Sequence, residues 1–122
     1  MKIQESAENY LEAILQLQEE HGSVRSIDVV QHLGFSKPSV SRAMSLLREN
    51  GYVLMDRDGL LTLTDAGREI AERIYGRHKL LTRWLISLGV EPDRAAADAC
   101  RMEHAVSNET FEKMKAHILG EI

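Results

Sequence analysis

With 122 residues and a mass of 13.8 kDa, the chain can form one compact domain or two very small ones, which excludes a large multi-domain enzyme. Hydrophobic residues make up 43% and charged residues 28%, so the composition fits neither intrinsic disorder nor a disulfide-stapled miniprotein. The net charge of −4 argues by itself against a nucleic-acid-binding protein, but residues 25–57 hold five basic and only three acidic side chains.

Helical spacing of apolar residues predicts a first helix from Glu5 to Glu20, which His21-Gly22 ends. A second, short helix is predicted to begin with Ser26 as its N-cap and to end at Gly34. The predicted buried residues of the second helix are Ile27, Val30 and Leu33.

A third helix and a hairpin are predicted next. Ser36 is a suitable N-cap for the helix, and Asn50-Gly51 is a suitable end for it. Two short strands are then predicted near residues 52–55 and 60–63, joined by the turn Asp56-Arg57-Asp58-Gly59. The predicted buried residues of the third helix are Val40, Ala43, Met44 and Leu47.

The second half of the chain predicts only helices. A long one begins at Thr64-Asp65 and keeps helical spacing up to Gly89. Two further helices are predicted over about residues 92–105 and 108–119. The sequence thus predicts a mainly α fold with a boundary inside the long helix. The predicted domains are residues 1–73 and residues 74–122.

Two short helices joined by a tight turn and followed by a hairpin are the order of a winged helix-turn-helix, a DNA-binding fold. The outward side of the third helix carries small hydroxyl and basic side chains, which fit a major groove. Arg42 is predicted to read guanine, whereas Lys37 and Arg48 are predicted to neutralise phosphates. An ordinary solvated helix face is the alternative. The predicted DNA-binding residues are Ser36, Lys37, Pro38, Ser39, Ser41, Arg42, Arg48 and, in the hairpin, Arg57.

Cys100, Glu103 and His104 stand at positions i, i+3 and i+4, so one helix face presents a thiolate, a carboxylate and an imidazole. Thiolate and imidazole donors favour a transition metal over calcium or magnesium. Taken singly, such residues are more often core or solvent-facing side chains, and that alternative stays open. Further candidate donors elsewhere in the sequence are His78, Glu8, Asn9 and Glu12.

Five segments carry a family resemblance: residues 6–14, 36–41, 63–67, 77–81 and 98–107. They resemble the diphtheria-toxin-repressor and manganese-transport-regulator family of metal-dependent transcriptional repressors. The resemblance implies a winged helix followed by a helical dimerisation and metal-binding domain. It further implies divalent manganese or iron as corepressor, and a homodimer on palindromic promoter DNA of metal-homeostasis genes. The implied metal ligands are Glu12, His78, Cys100, Glu103 and His104, with Asn9 as a weaker one.

Some positions depart from the family pattern. Asn9 falls where members have Asp or Met, and Cys100 is similar to the iron branch, whereas the manganese branch has a carboxylate there. Thr82 and Ala96 stand where the iron branch has the ligands of an ancillary site, which argues against that second site. The sequence ends at Ile122, before the SH3-like domain of some members, and we expect that domain to be absent.

We predict a repressor and not an enzyme, because no nucleophile with a base and no phosphate-binding loop is recognisable. Two alternatives stay open: a winged-helix regulator that responds to an organic ligand or to oxidation of Cys100, and a metal-binding, enzyme-like domain. A single cysteine, no signal peptide and no long apolar stretch predict a cytoplasmic protein. Dimerisation is predicted from apolar side chains: Leu81, Trp84, Leu85, Leu88, Phe111, Met114 and Ile118.

Overall fold

The computed structural model describes residues 5–120 and is mainly helical, which confirms the predicted fold class. None of the described helices is long and apolar enough to cross a membrane. The chain divides into two compact units, Met1–Arg73 and Ile74–Ile122, called the first and the second unit below. The elements are α1 (Glu5–His21), α2 (Ser26–Leu33), α3 (Lys37–Glu49), β1 (Val53–Met55), β2 (Leu61–Leu63), α4 (Asp65–Ser87), α5 (Pro92–Ala105) and α6 (Asn108–Ile118).

Side-chain caps fix where three of the helices begin. The side chains of Ser36, Glu91 and Ser107 each accept a hydrogen bond from the backbone N–H three residues later, at 3.2, 3.1 and 3.1 Å. These bonds satisfy N–H groups that the first turn of a helix leaves without a partner. The predicted starts of α3, α5 and α6 are therefore confirmed.

The start and the buried side of α2 differ from the prediction. Arg25, not Ser26, is the N-cap residue, because the Asp28 carboxylate accepts the Arg25 N–H at 2.8 Å and Ser26 already lies in the helix. Val29 is fully buried, whereas Ile27 is 41% exposed. In so short a helix the apolar spacing fits two faces, and packing against α1 and α3 selects the face with Val29.

The core of the first unit is formed by one side of each of its first three helices and by the hairpin. On α3 the buried residues are Val40, Met44 and Leu47, as predicted, whereas Ala43, also predicted to be buried, is half-buried at the edge of this stripe. The opposite side of the helix faces solvent. The largest fully buried residues of the unit are Leu11, Ile14, Val24, Val29, Val40, Met44, Val53 and Leu61.

The hairpin is a two-stranded antiparallel sheet in which Val53 pairs with Leu63 and Met55 with Leu61. Its turn is held by Asp56, whose Oδ1 accepts the N–H groups of residues 58 and 60, both at 2.9 Å. The hairpin is also tied to the segment before α2, because the Leu61 N–H donates to the Val24 carbonyl at 2.7 Å. The predicted wing is confirmed.

The first turn of α4 packs directly against the chain that enters the hairpin. Thr64 caps this helix by accepting the Gly67 N–H at 3.1 Å, and its own N–H donates to the Tyr52 carbonyl at 3.1 Å. A Cβ atom on Gly67 would lie only 2.1 Å from the Tyr52 oxygen. Only glycine therefore allows this contact between helix and strand.

The second unit has its own core, built from Leu80, Leu81, Ala99 and Phe111. Two of the side chains predicted to form a dimer surface, Leu81 and Phe111, are thus used inside the unit. Leu88 lies beyond the end of α4, which stops at Ser87, two residues before the predicted end, and it is 63% exposed. The partly buried residues around this core are Trp84, Leu85, Met102, Val106, Met114 and Ile118.

Candidate functional site

The exposed side of α3 carries most of the predicted DNA-binding side chains. Lys37, Arg48 and, in the hairpin turn, Arg57 are exposed and form no ion pair with any residue from 5 to 120. Their charges are therefore available to phosphates. The exposed members of the predicted set are Ser36, Lys37, Pro38, Ser41, Arg42, Arg48 and Arg57, and Ser39 is half-buried.

Two of the serines are already engaged in starting the helix. The Ser36 hydroxyl donates to the Ser39 hydroxyl at 2.8 Å while it accepts the Ser39 N–H. The hydroxyl oxygens of Ser36 and Ser39 each keep a further lone pair that can accept a hydrogen bond. The positions of both hydroxyls are set by the helix cap. The Ser41 hydroxyl forms no such bond with any of residues 5–120, so it is freer to donate than the hydroxyls of Ser36 and Ser39.

Arg42 lies close enough to Tyr10 of α1 for its charge to act on the phenol. Burial raises the pKa of Tyr10 above its usual value, and the positive charge of Arg42 offsets part of that rise. The Tyr10 ring also meets the Phe35 ring edge to face, with centroids 5.9 Å apart. Phe35 sits in the turn between α2 and α3, so this contact holds the turn against α1.

Sequence reasoning missed a depression between α2 and α3, beside the predicted DNA-binding residues Lys37 and Ser41. Its α2 side consists of Ser26, Ile27 and Val30. The helical spacing predicted Ile27 as buried, so its 41% exposure beside this depression became visible only in the structure. The Arg25 Nε also donates to the Asp58 carbonyl at 3.2 Å and fixes the hairpin turn beside this end of α2.

In the second unit, three of the predicted metal ligands come together around one carboxylate. Glu103 on α5 has 0% exposure, and its Oε2 lies 3.0 Å from Nδ1 of His78 on α4. Nε2 of His104 lies 3.4 Å from Oε1 of the same carboxylate. That distance is not accompanied by hydrogen-bond geometry, and Oε1 accepts no hydrogen bond from any described residue.

A buried carboxylate oxygen without a donor is costly in a protein interior, and it needs a positive partner. One carboxylate and two imidazoles are donors that suit a divalent transition ion. The residues present therefore fit such an ion. Cys100 lies one turn earlier on α5 and is exposed, so a thiolate at this place is accessible from solvent.

The predicted donors of the first unit lie on α1. Glu12 is buried, with 6% exposure, between the fully buried residues Leu11 and Ala13. Asn9 is half-buried, and Glu8 pairs with Arg73 at 3.3 Å. The Glu8 carboxylate is thus paired with a cation within the first unit.

Sequence reasoning also missed Arg77, the buried arginine next to His78. It has 3% exposure, and its guanidinium donates to the carbonyl of Glu103 at 2.9 Å. The signal was present in the spacing, because residue 77 falls between Ile74 and Leu81 on the apolar side of α4. An arginine at such a position is buried only when it is paired.

Comparisons with known proteins agree with this layout. Residues 2–61 match the family description "Iron dependent repressor, N-terminal DNA binding domain", and residues 64–119 match "Iron dependent repressor, metal binding and dimerisation domain". The transcriptional regulator MntR of Salmonella typhimurium is 35% identical over 112 residues, which are 92% of this chain and 71% of that protein. The regulator MntR of Bacillus subtilis is 30% identical over 109 residues, 89% of this chain and 77% of that protein.

A solved structure of a manganese-dependent transcriptional repressor in complex with manganese has the same fold. It superposes with a TM-score of 0.82 at 33% identity and covers 92% of this chain. The match covers 52% of that chain, so the protein described here spans about half the length of the solved repressor.

Proposed function

The chain belongs to the iron-dependent repressor family, and from that premise we propose that it is a metal-dependent transcriptional repressor of metal-homeostasis genes. It acts in the cytoplasm as a homodimer on palindromic promoter DNA, with divalent manganese or iron as corepressor. The single observation that carries the metal dependence is the buried Glu103 carboxylate, which lies between two imidazoles and has one oxygen that accepts no hydrogen bond from residues 5–120. The alternative of an enzyme-like domain loses its support, because the matched families and relatives are transcriptional regulators.

We propose His78, Glu103 and His104 as metal ligands in the second unit, with the Cys100 thiolate as a fourth donor. The family resemblance adds Glu12 and Asn9 as predicted ligands. When bound, the ion supplies a concentrated positive charge that offsets the buried carboxylates. The histidines must be neutral and the thiol deprotonated to bind it, so metal binding releases protons.

DNA binding is assigned to α3 and the wing. Arg42 with the Ser39 and Ser41 edge reads bases, whereas Lys37, Arg48 and Arg57 hold phosphates. A dimer reads two half-sites about 34–36 Å apart, or a multiple of that distance, so the operator is expected to be a palindrome. Metal acts as corepressor if it raises the fraction of dimers that can reach both half-sites together.

The experiment that tests this function is a titration of Mn(II), Fe(II) and Zn(II) into metal-free protein. Metal binding and retention of a DNA duplex, selected from a random pool in saturating Mn(II), are followed in the same samples. We expect retention to rise with occupancy and to be reversed by a chelator. DNA binding that a chelator leaves unchanged but an oxidant abolishes would favour the redox alternative at Cys100.

A matched pair of histidine variants sharpens this titration. His104→Ala should remove metal-dependent retention, because it deletes a proposed ligand. His32→Ala should keep it, because His32 belongs to α2 and bonds to Gln16 at 2.9 Å. Sedimentation should give about twice 13.8 kDa for both. A monomer that still binds the operator tightly would contradict the proposed dimer.

A further inference from the structure

The buried guanidinium of Arg77 joins three successive parts of the second unit. Its Nη1 donates to the carbonyl oxygens of Glu103 at 2.9 Å and Val106 at 3.1 Å, and its Nη2 donates to Oδ1 of Asn108 at 3.1 Å. These acceptors are the last turn of α5, its C-cap residue and the first residue of α6. The last carbonyls of a helix lack intrahelical donors, and a positive charge at this end is favourable.

As a result, two consecutive residues of α4 contact both the backbone and the side chain of Glu103 on α5. Arg77 binds the Glu103 backbone carbonyl, while His78 binds the Glu103 carboxylate at 3.0 Å. With its backbone and its tip both fixed, the Glu103 side chain has little freedom to leave the imidazoles. His104 is the next residue of the same turn, so its backbone is fixed by the same contact.

We propose that Arg77 is a positioning residue of the metal site. It fixes the last turn of α5 so that Glu103 and His104 are already arranged around His78 before the ion arrives. This inference rests on the proposed function, because it needs the ion to bind at Glu103. Arg77 donates its bonds through a planar fork to three acceptors, which the single ammonium group of a lysine cannot reproduce.

The test compares Mn(II) and Co(II) binding by the full-length wild type, Arg77→Met and Arg77→Lys. Free Mn(II) is measured by electron paramagnetic resonance, and the visible spectrum of bound Co(II) reports the ligand geometry. Groups that orient metal ligands change affinity by about 10–100-fold. We expect Arg77→Met to lose affinity in this range with an altered Co(II) spectrum, and Arg77→Lys to fall between it and the wild type.

The control for a purely structural role is Phe111→Leu. The Phe111 ring lies under the guanidinium, with its centroid 4.9 Å from the Arg77 Cζ, and belongs to the core. This variant should lower the unfolding midpoint but keep the Arg77 hydrogen bonds, the affinity and the Co(II) spectrum. If Arg77→Met unfolds, the affinity and spectrum of Arg77→Lys decide.

The outcomes separate the two proposals. Wild-type protein that binds neither ion would overturn the proposed function and this inference with it. Wild-type protein that binds both ions, with Arg77→Lys and the folded Arg77→Met unchanged in affinity and spectrum, would overturn the inference alone. Phe111→Leu with the same loss as Arg77→Met would also overturn it, because general destabilisation would then explain the effect.

Discussion

In the first unit the side chains assigned to DNA stand outside the core, while Val40, Met44 and Leu47 on the other side of the same helix form it. In the second unit the relation is reversed: Glu103 and Arg77 are among its buried residues, alongside Leu81 and Phe111. A polar group inside a core must be paired, whereas one on the surface is solvated. Binding and folding should therefore be separable in the first unit and coupled in the second.

The largest expected effect tests the coupled unit. At a free Mn(II) concentration 100 times its dissociation constant, the wild type should gain about 2.7 kcal/mol in free energy of unfolding. Glu103→Gln should gain nothing at that concentration, because it loses the central anionic donor. Urea unfolding with and without Mn(II) measures the difference. Glu112→Gln, exposed on α6, is the control that should keep the full gain, and a full gain in Glu103→Gln would contradict the coupling.

The next effect tests whether a single substitution away from the DNA-binding side of α3 destabilises the first unit. Gly67→Ala should lower the free energy of unfolding by about 2 kcal/mol, because its methyl group collides with the Tyr52 carbonyl. Gly76→Ala, on the same helix but with open space around the new Cβ, should raise it by about 1 kcal/mol. Chemical denaturation of both variants checks the contrast. Equal effects would mean that helix propensity, not the Tyr52 contact, decides.

Substitutions on α3 should change binding without changing stability. Arg42→Ala should cost about 1–3 kcal/mol on the selected operator and flatten discrimination between sequences. Lys37→Ala should weaken all duplexes alike and reduce the salt dependence by about one counterion. Both should stay within about 0.5 kcal/mol of wild-type stability. Fluorescence anisotropy at several salt concentrations distinguishes them, and identical losses on operator and random DNA would refute the assignment.

The smallest effect concerns the contact between α3 and α1. Burial raises the pKa of Tyr10 and Arg42 counteracts it, so Arg42→Ala should raise that pKa further. Tyrosinate absorbance between about pH 9 and 12 measures this in a background with Tyr52 and Tyr75 changed to Phe. Arg48→Ala removes a charge elsewhere on α3 and should leave the titration unchanged. A titration that does not move in Arg42→Ala would show that the arginine points away from the phenol.

Local signals were enough to predict most of the fold. Ser36, Glu91 and Ser107 cap helices within three residues of themselves, and Asp56 accepts two hydrogen bonds inside the hairpin turn that it begins. The buried face of α2 was predicted wrongly because local signals could not decide it. The two possible apolar stripes of this helix are distinguished only by contacts with other helices.

At the metal site, too, local sequence signals were not enough where contacts between distant residues decide the structure. Spacing along one helix was enough to associate Cys100, Glu103 and His104. The contact between His78 and Glu103 joins residues 25 positions apart, so the sequence pattern named His78 only as a further candidate donor, and the family resemblance placed both residues in one ligand set. The role of Arg77 escaped both approaches. The spacing places this arginine on the apolar side of α4, but its acceptors, two backbone carbonyls and the Asn108 side chain, lie 26 to 31 positions away along the chain.

The hydrogen bond from Leu61 to Val24 bears on how the first unit is made during synthesis. Both residues are buried, and 37 positions separate them along the chain. A nascent chain that has exposed only α1, α2 and α3 still lacks this pairing, so closure of the unit waits until the hairpin has left the ribosome. In the finished protein the Leu61 amide should exchange with deuterium only when the whole unit opens. Fast exchange at Leu61 under native conditions would mean that the hairpin opens by itself.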